Sequence, residues 1–229
     1  MSVVKISEKI YLIGGPQISH PYDCCVYLID GSPESSIIID SGSGFGFNEI
    51  IDNINELKLD AQISTLVNTH CHFDHAGGDS KLKRTLRCTV AAHKLDAEAI
   101  ETGDQDLTAA KWMDIKFEPC KVDVKINENP LKDNIVVGSY TLLAIHTPGH
   151  TPGSISLYGS IEGEDVLFCG DIGGPFMPAW NSNVENAKSS VKKLLKLDPT
   201  LLCAGHGYSR GNIKVELEKL FKTLQKKKI

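Results

Sequence analysis

Short apolar runs, separated by glycine, proline and polar turns, make up most of the chain. Runs of about four to eight residues that are rich in β-branched side chains predict β-strands. The predicted strands are Val3–Ile6, Lys9–Ile13, Cys24–Ile29, Ser36–Asp40, Gln62–Val67, Cys88–Ala92, Lys121–Ile126, Asn134–Val137, Thr141–His146, Ser154–Tyr158, Asp165–Cys169 and Leu201–Ala204. Apolar side chains at helical spacing predict helices elsewhere. The predicted helices are Asn48–Leu57, Lys81–Leu86, His93–Ile100, Asn183–Leu197 and Asn212–Lys226.

The two halves of this pattern repeat each other in outline. In each half, two strands joined by a turn (Asp30–Pro33 in the first, Gly159–Glu164 in the second) lead to an aspartate shortly before glycine, Asp40 and Asp171 respectively. A helix follows in each half. Such a repeat predicts two β-sheets packed face to face and covered by helices, which is a mixed α/β (α+β) fold. We expect a single domain over residues 1–229, because that length is usual for one domain.

Composition and charge narrow the function mainly by exclusion. The chain is 41% hydrophobic and 23% charged, so it can bury a sizeable core. Its net charge of −5 disfavours a nucleic-acid-binding surface. No apolar run reaches the length of a membrane span, and no apolar signal core follows Met1. Seven cysteines without a C-x-x-C pair are typical of intracellular thiols, so we expect a cytoplasmic protein without a membrane or nucleic-acid partner.

A cluster of three histidines and one aspartate follows the predicted strand that ends at Val67. His70 and His72 are two residues apart, so in an extended segment both side chains reach the same point. Asp74 and His75 lie on the following turn and are free to face a second point. A set of imidazoles with one carboxylate is suited to zinc or iron rather than to calcium or magnesium, so the cluster predicts a metal site. The alternative is a histidine-rich surface loop.

Three further ligand candidates lie in the second half of the chain. His150 is held on a turn of prolines and glycines, Asp171 follows an apolar strand, and His206 follows the strand Leu201–Ala204. A histidine taken singly is more often structural, but these residues complete a set in which several strand ends offer ligands. Asp40 is either an acceptor behind the metal loop or a turn residue.

The pattern His70-x-His72-x-Asp74-His75, with His150 in a Thr-Pro-Gly-His turn, Asp171 after an apolar strand and His206 in Gly-His-Gly, resembles the metallo-β-lactamase superfamily. The resemblance spans Lys9 to Tyr208. It implies an αββα sandwich with two metal ions at one edge of the two sheets. It also implies that His70, His72 and His150 hold the first ion, that Asp74, His75 and His206 hold the second, and that Asp171 bridges them.

Within that superfamily, the chain resembles the branch that has a histidine rather than a cysteine in the second set. This branch includes hydroxyacylglutathione hydrolases (glyoxalase II), acyl-homoserine lactonases, iron-dependent persulfide dioxygenases and tRNA 3′-processing nucleases. Cys71 is then expected to point away from the ions. We expect two Zn²⁺ ions per chain, with iron or manganese as alternatives.

Two divalent ions about 3.5–4 Å apart hold a shared hydroxide at neutral pH that attacks an electrophilic carbon or phosphorus. Asp74 is the expected proton carrier. Tyr208 or Tyr22 is a candidate oxyanion donor, although a structural role is the commoner one for each. The leading hypothesis is a hydrolase of a small ester, thioester or lactone. The alternatives are a mononuclear iron oxidoreductase of the persulfide dioxygenase type and a phosphodiesterase or nuclease.

The remaining expectations concern the substrate and the unassigned histidines. The segment 103–119, with Trp112, either walls a substrate pocket or packs into the core. The apolar stretch 176–180 suits an acyl chain and equally suits a homodimer interface. We expect His146 to support the following turn by a hydrogen bond and His93 to begin a helix.

Overall fold

The computed structural model describes residues 3–59, 62–127 and 134–227. Within these residues, the first sheet has seven strands that lie side by side in chain order. They are β1 (Val4–Lys5), β2 (Ile10–Gly14), β3 (Val26–Ile29), β4 (Ser36–Ile39), β5 (Ile63–Val67), β6 (Thr89–His93) and β7 (Val124–Ile126). Strands β1 to β4 pair antiparallel, whereas β4 to β7 pair parallel.

Helices connect the parallel strands, because a parallel pair needs a long crossover. They are α1 (Phe47–Leu57), α2 (Phe73–Ala76), α3 (Asp79–Leu86) and α4 (Lys94–Thr102). His93 caps α4 by accepting a hydrogen bond from the Leu95 backbone N–H, so the predicted helix start at His93 is confirmed.

The second sheet has six strands within the described residues, in the order β13-β12-β11-β10-β9-β8. They are β8 (Ile135–Val137), β9 (Tyr140–His146), β10 (Ile155–Ile161), β11 (Glu164–Gly170), β12 (Leu201–Ala204) and β13 (Gly207–Arg210). The one parallel pair, β11 with β12, is connected by α5 (Val184–Leu194), and α6 (Ile213–Lys226) follows β13.

Along the central strands, side chains alternate between two apolar layers, as the period of a strand requires. On β4, Ile37 and Ile39 face the second sheet while Ile38 packs against the helices. On β11, Phe168 faces the first sheet while Leu167 packs under the outer helices. One core therefore lies between the sheets and one lies under each helical layer, and the predicted αββα sandwich is confirmed.

The sequence placed two features of the second sheet wrongly. The predicted turn over Gly159–Glu164 is strand for most of its length, and only Glu162 and Gly163 turn, both with positive φ. Gly159 lies inside β10, where a Cβ atom would come within 2.6 Å of the Thr141 carbonyl oxygen, so the glycine allows close strand packing rather than a turn. Strand β13 was not predicted, because Gly-Tyr-Ser-Arg has no apolar alternation. The strands that were predicted to begin at Gln62 and Asn134 begin one residue later, at Ile63 and Ile135.

The strand ends decide where the candidate ligands lie. Strands β4 and β5 run parallel, as do β11 and β12, and β9 has the direction of β11 because both pair antiparallel with β10. Their carboxyl ends meet at one edge of the sandwich, where open α/β sheets hold ligands. In the part of the chain that the structure describes, no helix is long and apolar enough to cross a membrane.

Candidate metal centre

Hydrogen bonds to the neighbouring strand β6 and to Asp40 hold the loop after β5 in place. The backbone N–H of Asn68 donates to the Ala91 carbonyl oxygen at 2.9 Å, which keeps the loop beside β6. The Thr69 backbone N–H and hydroxyl donate to the Asp40 carboxylate at 2.7 and 2.9 Å. His72 is extended (φ −65°, ψ 149°) and directly precedes α2, so the loop enters a helical turn at this point.

This change of backbone separates the predicted ligands into two groups. His70 and His72 lie on the extended part, whereas Asp74 and His75 lie in the first turn of α2. The sequence predicted this division from the spacing of the four residues, and the structure shows it.

The first group brings together His70, His72 and His150, whose ligand nitrogens all lie within 4.8 Å of one another. All three side chains are buried, and their Nε2 atoms have no hydrogen-bond partner among the described residues. Burial lowers the pKa of each imidazole, well below the usual value for His70 and His72. The rings are therefore neutral near pH 7, so each has one nitrogen with a free electron pair that can bind a cation.

The second group brings together Asp74, His75 and His206, again within 4.8 Å. The Asp74 Oδ2 and His206 Nε2 atoms are 3.5 Å apart. Asp74 is 19% exposed, and burial raises the pKa of its carboxyl. His75 is fully buried, and its Nε2 atom also lacks a hydrogen-bond partner among the residues that the structure describes.

Asp171 lies between the two groups. One carboxylate oxygen is 3.6 Å from His75 Nε2, and the other is 3.6 Å from His150 Nε2 and 3.2 Å from His206 Nε2. Burial alone would raise the pKa of Asp171, but the imidazoles of His75 and His206 outweigh it and hold that pKa well below the usual value. The structure thus brings all seven predicted ligands together, with Asp171 in reach of both groups.

Acceptors behind the imidazoles fix the direction of the free nitrogens. His75 Nδ1 lies 2.8 Å from Asp40 Oδ2, and His150 Nδ1 lies 2.6 Å from the Pro175 carbonyl oxygen. With Nδ1–H donating, the Nε2 atom of His150 carries the lone pair and faces the centre. Burial alone would lower the pKa of His75, but the acidic groups around it outweigh burial and raise that pKa well above the usual value. The Nε2 atom of His75 therefore carries a proton that a bound cation would displace. Asp40 is therefore the acceptor that one sequence interpretation placed behind the loop.

Asp96 was missed by the sequence analysis, although it joins two of the ligand loops. Its carboxylate, 1% exposed in the first turn of α4, accepts from the Cys71 N–H at 3.0 Å, the Thr151 hydroxyl at 2.7 Å and the Gly153 N–H at 2.6 Å. Cys71 belongs to the His70 loop, and Thr151 and Gly153 belong to the His150 turn. An aspartate in a first helical turn is common, so no local sequence signal marks this role.

The turn that carries His206 is anchored to the first sheet. The Cys25 backbone N–H donates to the Gly205 carbonyl oxygen at 2.7 Å. The Tyr27 hydroxyl donates to the Ala204 carbonyl oxygen at 2.7 Å and lies 2.9 Å from that of Gly207. At Gly205 itself, a Cβ atom would fall 2.2 Å from Asp171 Oδ1 and 2.6 Å from His75 Cε1, so only glycine fits here without displacing these groups.

Cys71 and His146 have the orientations that the sequence predicted, and two tyrosines line cavities near the ligands. The Cys71 thiol donates to the Leu107 carbonyl oxygen and packs in the core under the first sheet, so it points away from the ligands as expected. His146 Nε2 lies 2.8 Å from the Pro152 carbonyl oxygen, which confirms its support of the turn. Tyr208 lies on β13 and lines a cavity beside His206, whereas Tyr22 lines the cavity beside His72. An oxyanion role for either tyrosine stays a prediction.

A cavity of about 330 Å³ opens onto five of the seven side chains, namely His72, Asp74, His150, Asp171 and His206. Trp112 and Met113 form part of its wall, whereas Phe117 is 3% exposed and packs into the core. That this cavity takes a substrate stays a prediction. Trp180 also lines the cavity, but Phe176 packs under the outer helices instead. A homodimer through the stretch 176–180 stays a prediction.

The sequence model of the metallo-β-lactamase superfamily matches residues 21–206, and the chain therefore belongs to this superfamily. A probable metallo-hydrolase of Methanocaldococcus jannaschii is 28% identical over 206 residues, which cover 87% of this chain and 95% of that protein. A hydroxyacylglutathione hydrolase of Bartonella henselae is 31% identical over 156 residues, which cover 66% of this chain and about half (51%) of that protein.

Solved structures show the same fold. The subclass B3 metallo-β-lactamase of Bradyrhizobium japonicum superposes with a TM-score of 0.82 at 23% identity, over 99% of this chain and 93% of that one. At this identity the likeness supports the fold alone. The family assignment supports a metal-dependent hydrolase.

Proposed function

We propose that the protein is a dinuclear metal hydrolase, with two Zn²⁺ ions per chain, that cleaves a small ester, thioester or lactone. The observation that carries the proposal is the convergence of the seven side chains, with four buried imidazole Nε2 atoms that have no hydrogen-bond partner within the described residues. Leaving a buried polar atom without a partner costs about 1–3 kcal/mol. Four such atoms at one place are accounted for by a cation, to which neutral imidazole and carboxylate are suited ligands.

The two groups assign the ligands. His70, His72 and His150 would hold the first ion, Asp74, His75 and His206 the second, and Asp171 both. Bound there, the ions would lower the pKa of a shared water and polarise the substrate carbonyl. Asp74 faces the cavity, where its carboxylate would be in a position to exchange a proton with the attacking water and the leaving group.

The structure favours this proposal over the two alternatives. A mononuclear iron site would need only one group, and it would leave Asp74 and His206 without a task although they lie 3.5 Å apart beside Asp171. A nuclease or phosphodiesterase needs cations for the phosphate backbone. The net charge is −5, and no lysine or arginine among the described residues lines the cavity.

Metal analysis followed by a substrate panel tests the proposal. Protein expressed without added metal should contain about two equivalents of zinc, iron or manganese. The zinc-loaded protein should hydrolyse members of a panel of thioesters, aryl esters and lactones, and should be inactive on bis-p-nitrophenyl phosphate and on glutathione persulfide with oxygen uptake as readout. A metal-replete protein that is inactive on every ester, thioester and lactone would contradict the proposal.

A matched pair of variants separates ligand loss from general damage. His150→Asn should retain about one equivalent of metal and lose activity by about 100-fold or more. His20→Asn, a histidine outside both groups, should keep the metal content and activity of the parent.

We also propose a cytoplasmic location, supported by seven cysteines that are all buried and free of disulfides; cell fractionation tests it.

A further inference from the structure

We propose that the cavity beside His72 and His150 is the acyl site of the enzyme, that it takes an uncharged apolar acyl chain or aryl group, and that Trp112 and Met113 determine this specificity. The inference rests on the proposed hydrolase function, which it narrows to one class of substrate. It is carried by the shape of the cavity wall and by the charges that line it.

The wall is aromatic from the solvent to the ligands. Trp112 is 60% exposed and Met113 is 42% exposed, although both are large apolar side chains. The ring centroids of Trp112 and Trp180 are 4.9 Å apart, and Trp180, 4% exposed, packs edge-on against His72 at 4.6 Å. Apolar side chains left exposed around a concave site are typical of ligand recognition, because a ligand then removes that surface from water.

No lysine or arginine among the described residues lines the cavity to pair with an anionic acyl group. Among the described residues, the charged groups that line the cavity are carboxylates, Asp23, Asp74 and Asp171. The Asp23 oxygens already accept from Ser19 and Ser43. Lys111, next to Trp112 in the chain, pairs with Asp106 at 2.9 Å. A carboxylate at the far end of an acyl group would therefore lose water without gaining a counter-charge.

The leaving group has room beside His206. Two further cavities, of about 440 and 450 Å³, share His206 with the aromatic cavity. Gly207 and Tyr208, on β13, line both of these further cavities. A substrate that has its carbonyl at the ligands and its acyl group in the aromatic cavity therefore has room for its leaving group beside His206.

A series of N-acetylcysteamine thioesters tests the acyl site with one uncharged leaving group throughout. From acetyl to octanoyl, kcat/KM should rise about threefold to fourfold for each added methylene until the cavity is filled. A pentanoyl thioester should be preferred to a succinyl thioester, which is of similar length but ends in a carboxylate. Trp112→Ala should reduce the octanoyl-over-acetyl preference by about tenfold, whereas Leu95→Ala, an exposed leucine outside the cavity lining, should leave it as in the parent.

A positive charge at Met113 should shift the preference toward the anionic acyl group. Met113→Lys should raise the succinyl-over-pentanoyl ratio by about fivefold, because the new ammonium group supplies the missing counter-charge. Met113→Gln, which is neutral and of similar size, should not. Equal ratios in the two variants would overturn the assignment of Met113.

Binding without turnover is measurable because both tryptophans of the chain lie in this wall. Octanamide should change the intrinsic fluorescence of the zinc-loaded protein saturably, acetamide should not, and Trp112→Ala should weaken octanamide binding. If thioesters are hydrolysed with no dependence on chain length and octanamide does not bind, the acyl site is wrong and the hydrolase stands. If no thioester, ester or lactone is hydrolysed but octanamide binds in a Trp112-dependent manner, the proposed function is wrong and the apolar site stands.

Discussion

Asp79 shows how a single buried carboxylate contributes to the support of the site. It is the first residue of α3, it is fully buried, and it accepts a hydrogen bond from Asn68 Nδ2 at 2.5 Å. Asn68 lies at the start of the ligand loop, so this bond joins the end of β5 to the helix that follows the ligands. Burial raises the pKa of Asp79 to about 7.

The raised pKa gives Asp79 a predictable effect on stability. Between about pH 4 and pH 7, the folded protein holds a proton on Asp79 that the unfolded chain has released, so the free energy of unfolding falls as the pH rises through this window. A shift from the usual value near 4 to about 7 corresponds to about 4 kcal/mol. Asp79→Asn should remove this dependence, so it should gain about 2–3 kcal/mol relative to the parent when both are moved from pH 5 to pH 8, because only the interval from pH 5 to the pKa of about 7 contributes.

Urea unfolding of metal-free protein at the two pH values measures this effect. Asp52→Asn, at an exposed position on α1, is the matched control and should follow the parent. A difference between the parent and Asp79→Asn that is the same at pH 5 and pH 8 would show that Asp79 is ionised in the folded protein throughout.

At the scale of elements, α4 is the connection between the two loops of the first ligand group. Its first turn places Asp96 where three donors from the His70 loop and the His150 turn converge. An amide in place of the carboxylate would turn an N–H₂ group toward at least one of these donors. We therefore expect Asp96→Asn to separate the two loops and weaken binding at the first group.

The expected result for Asp96→Asn is a 10–100-fold loss of metal affinity at one of two sites, which is about the effect of removing a partner behind a ligand. A titration of metal-free protein with Co²⁺ or Zn²⁺ should then show one tight and one weakened site. Glu98→Gln, an exposed change on the same helix, should bind as the parent does. Two equally weakened sites would contradict a role confined to the first group.

The sequence predicted the features that depend on consecutive residues and missed those that depend on residues far apart in the chain. The strands around Ile38 and Phe168 were predictable because alternation along a strand is a property of consecutive residues. The division of the His70 loop into two groups was predictable from spacing alone. The role of Asp96 was not, because its partners lie 25, 55 and 57 residues away and become neighbours only in the folded sandwich. The pairing of β13 with β12 has no apolar pattern of its own and was missed for that reason.

For the whole molecule, Tyr27 links the two sheets at the site. Its ring packs against Phe168 of the second sheet at 5.6 Å between centroids, and its hydroxyl holds the turn between β12 and β13. The ligands come from both sheets, so the distance between the two ligand groups depends on how the sheets are held together. Tyr27 is 2% exposed, and the carbonyl groups it serves would lose a donor in its absence.

Tyr27→Phe should therefore lower the free energy of unfolding by about 1–2 kcal/mol, which is the cost of leaving a buried acceptor unpaired. The loss should be accompanied by weaker metal binding at the second group, because His206 lies in the turn that is released. Urea unfolding with and without a chelator measures both. Tyr11→Phe, at a half-buried position on β2, is the control, and an equal change in both variants would argue against the anchoring role of Tyr27.

Gly205 has a consequence for how this enzyme can diverge. Since any side chain at that position would displace a carboxylate oxygen and an imidazole carbon at once, a saturation library should recover only glycine there among active clones. Trp112 and Met113 line the cavity at the ligands from exposed positions, where we expect the fold to tolerate substitutions. We therefore expect substitutions that change the substrate to occur at Trp112 and Met113, while Gly205 stays unchanged.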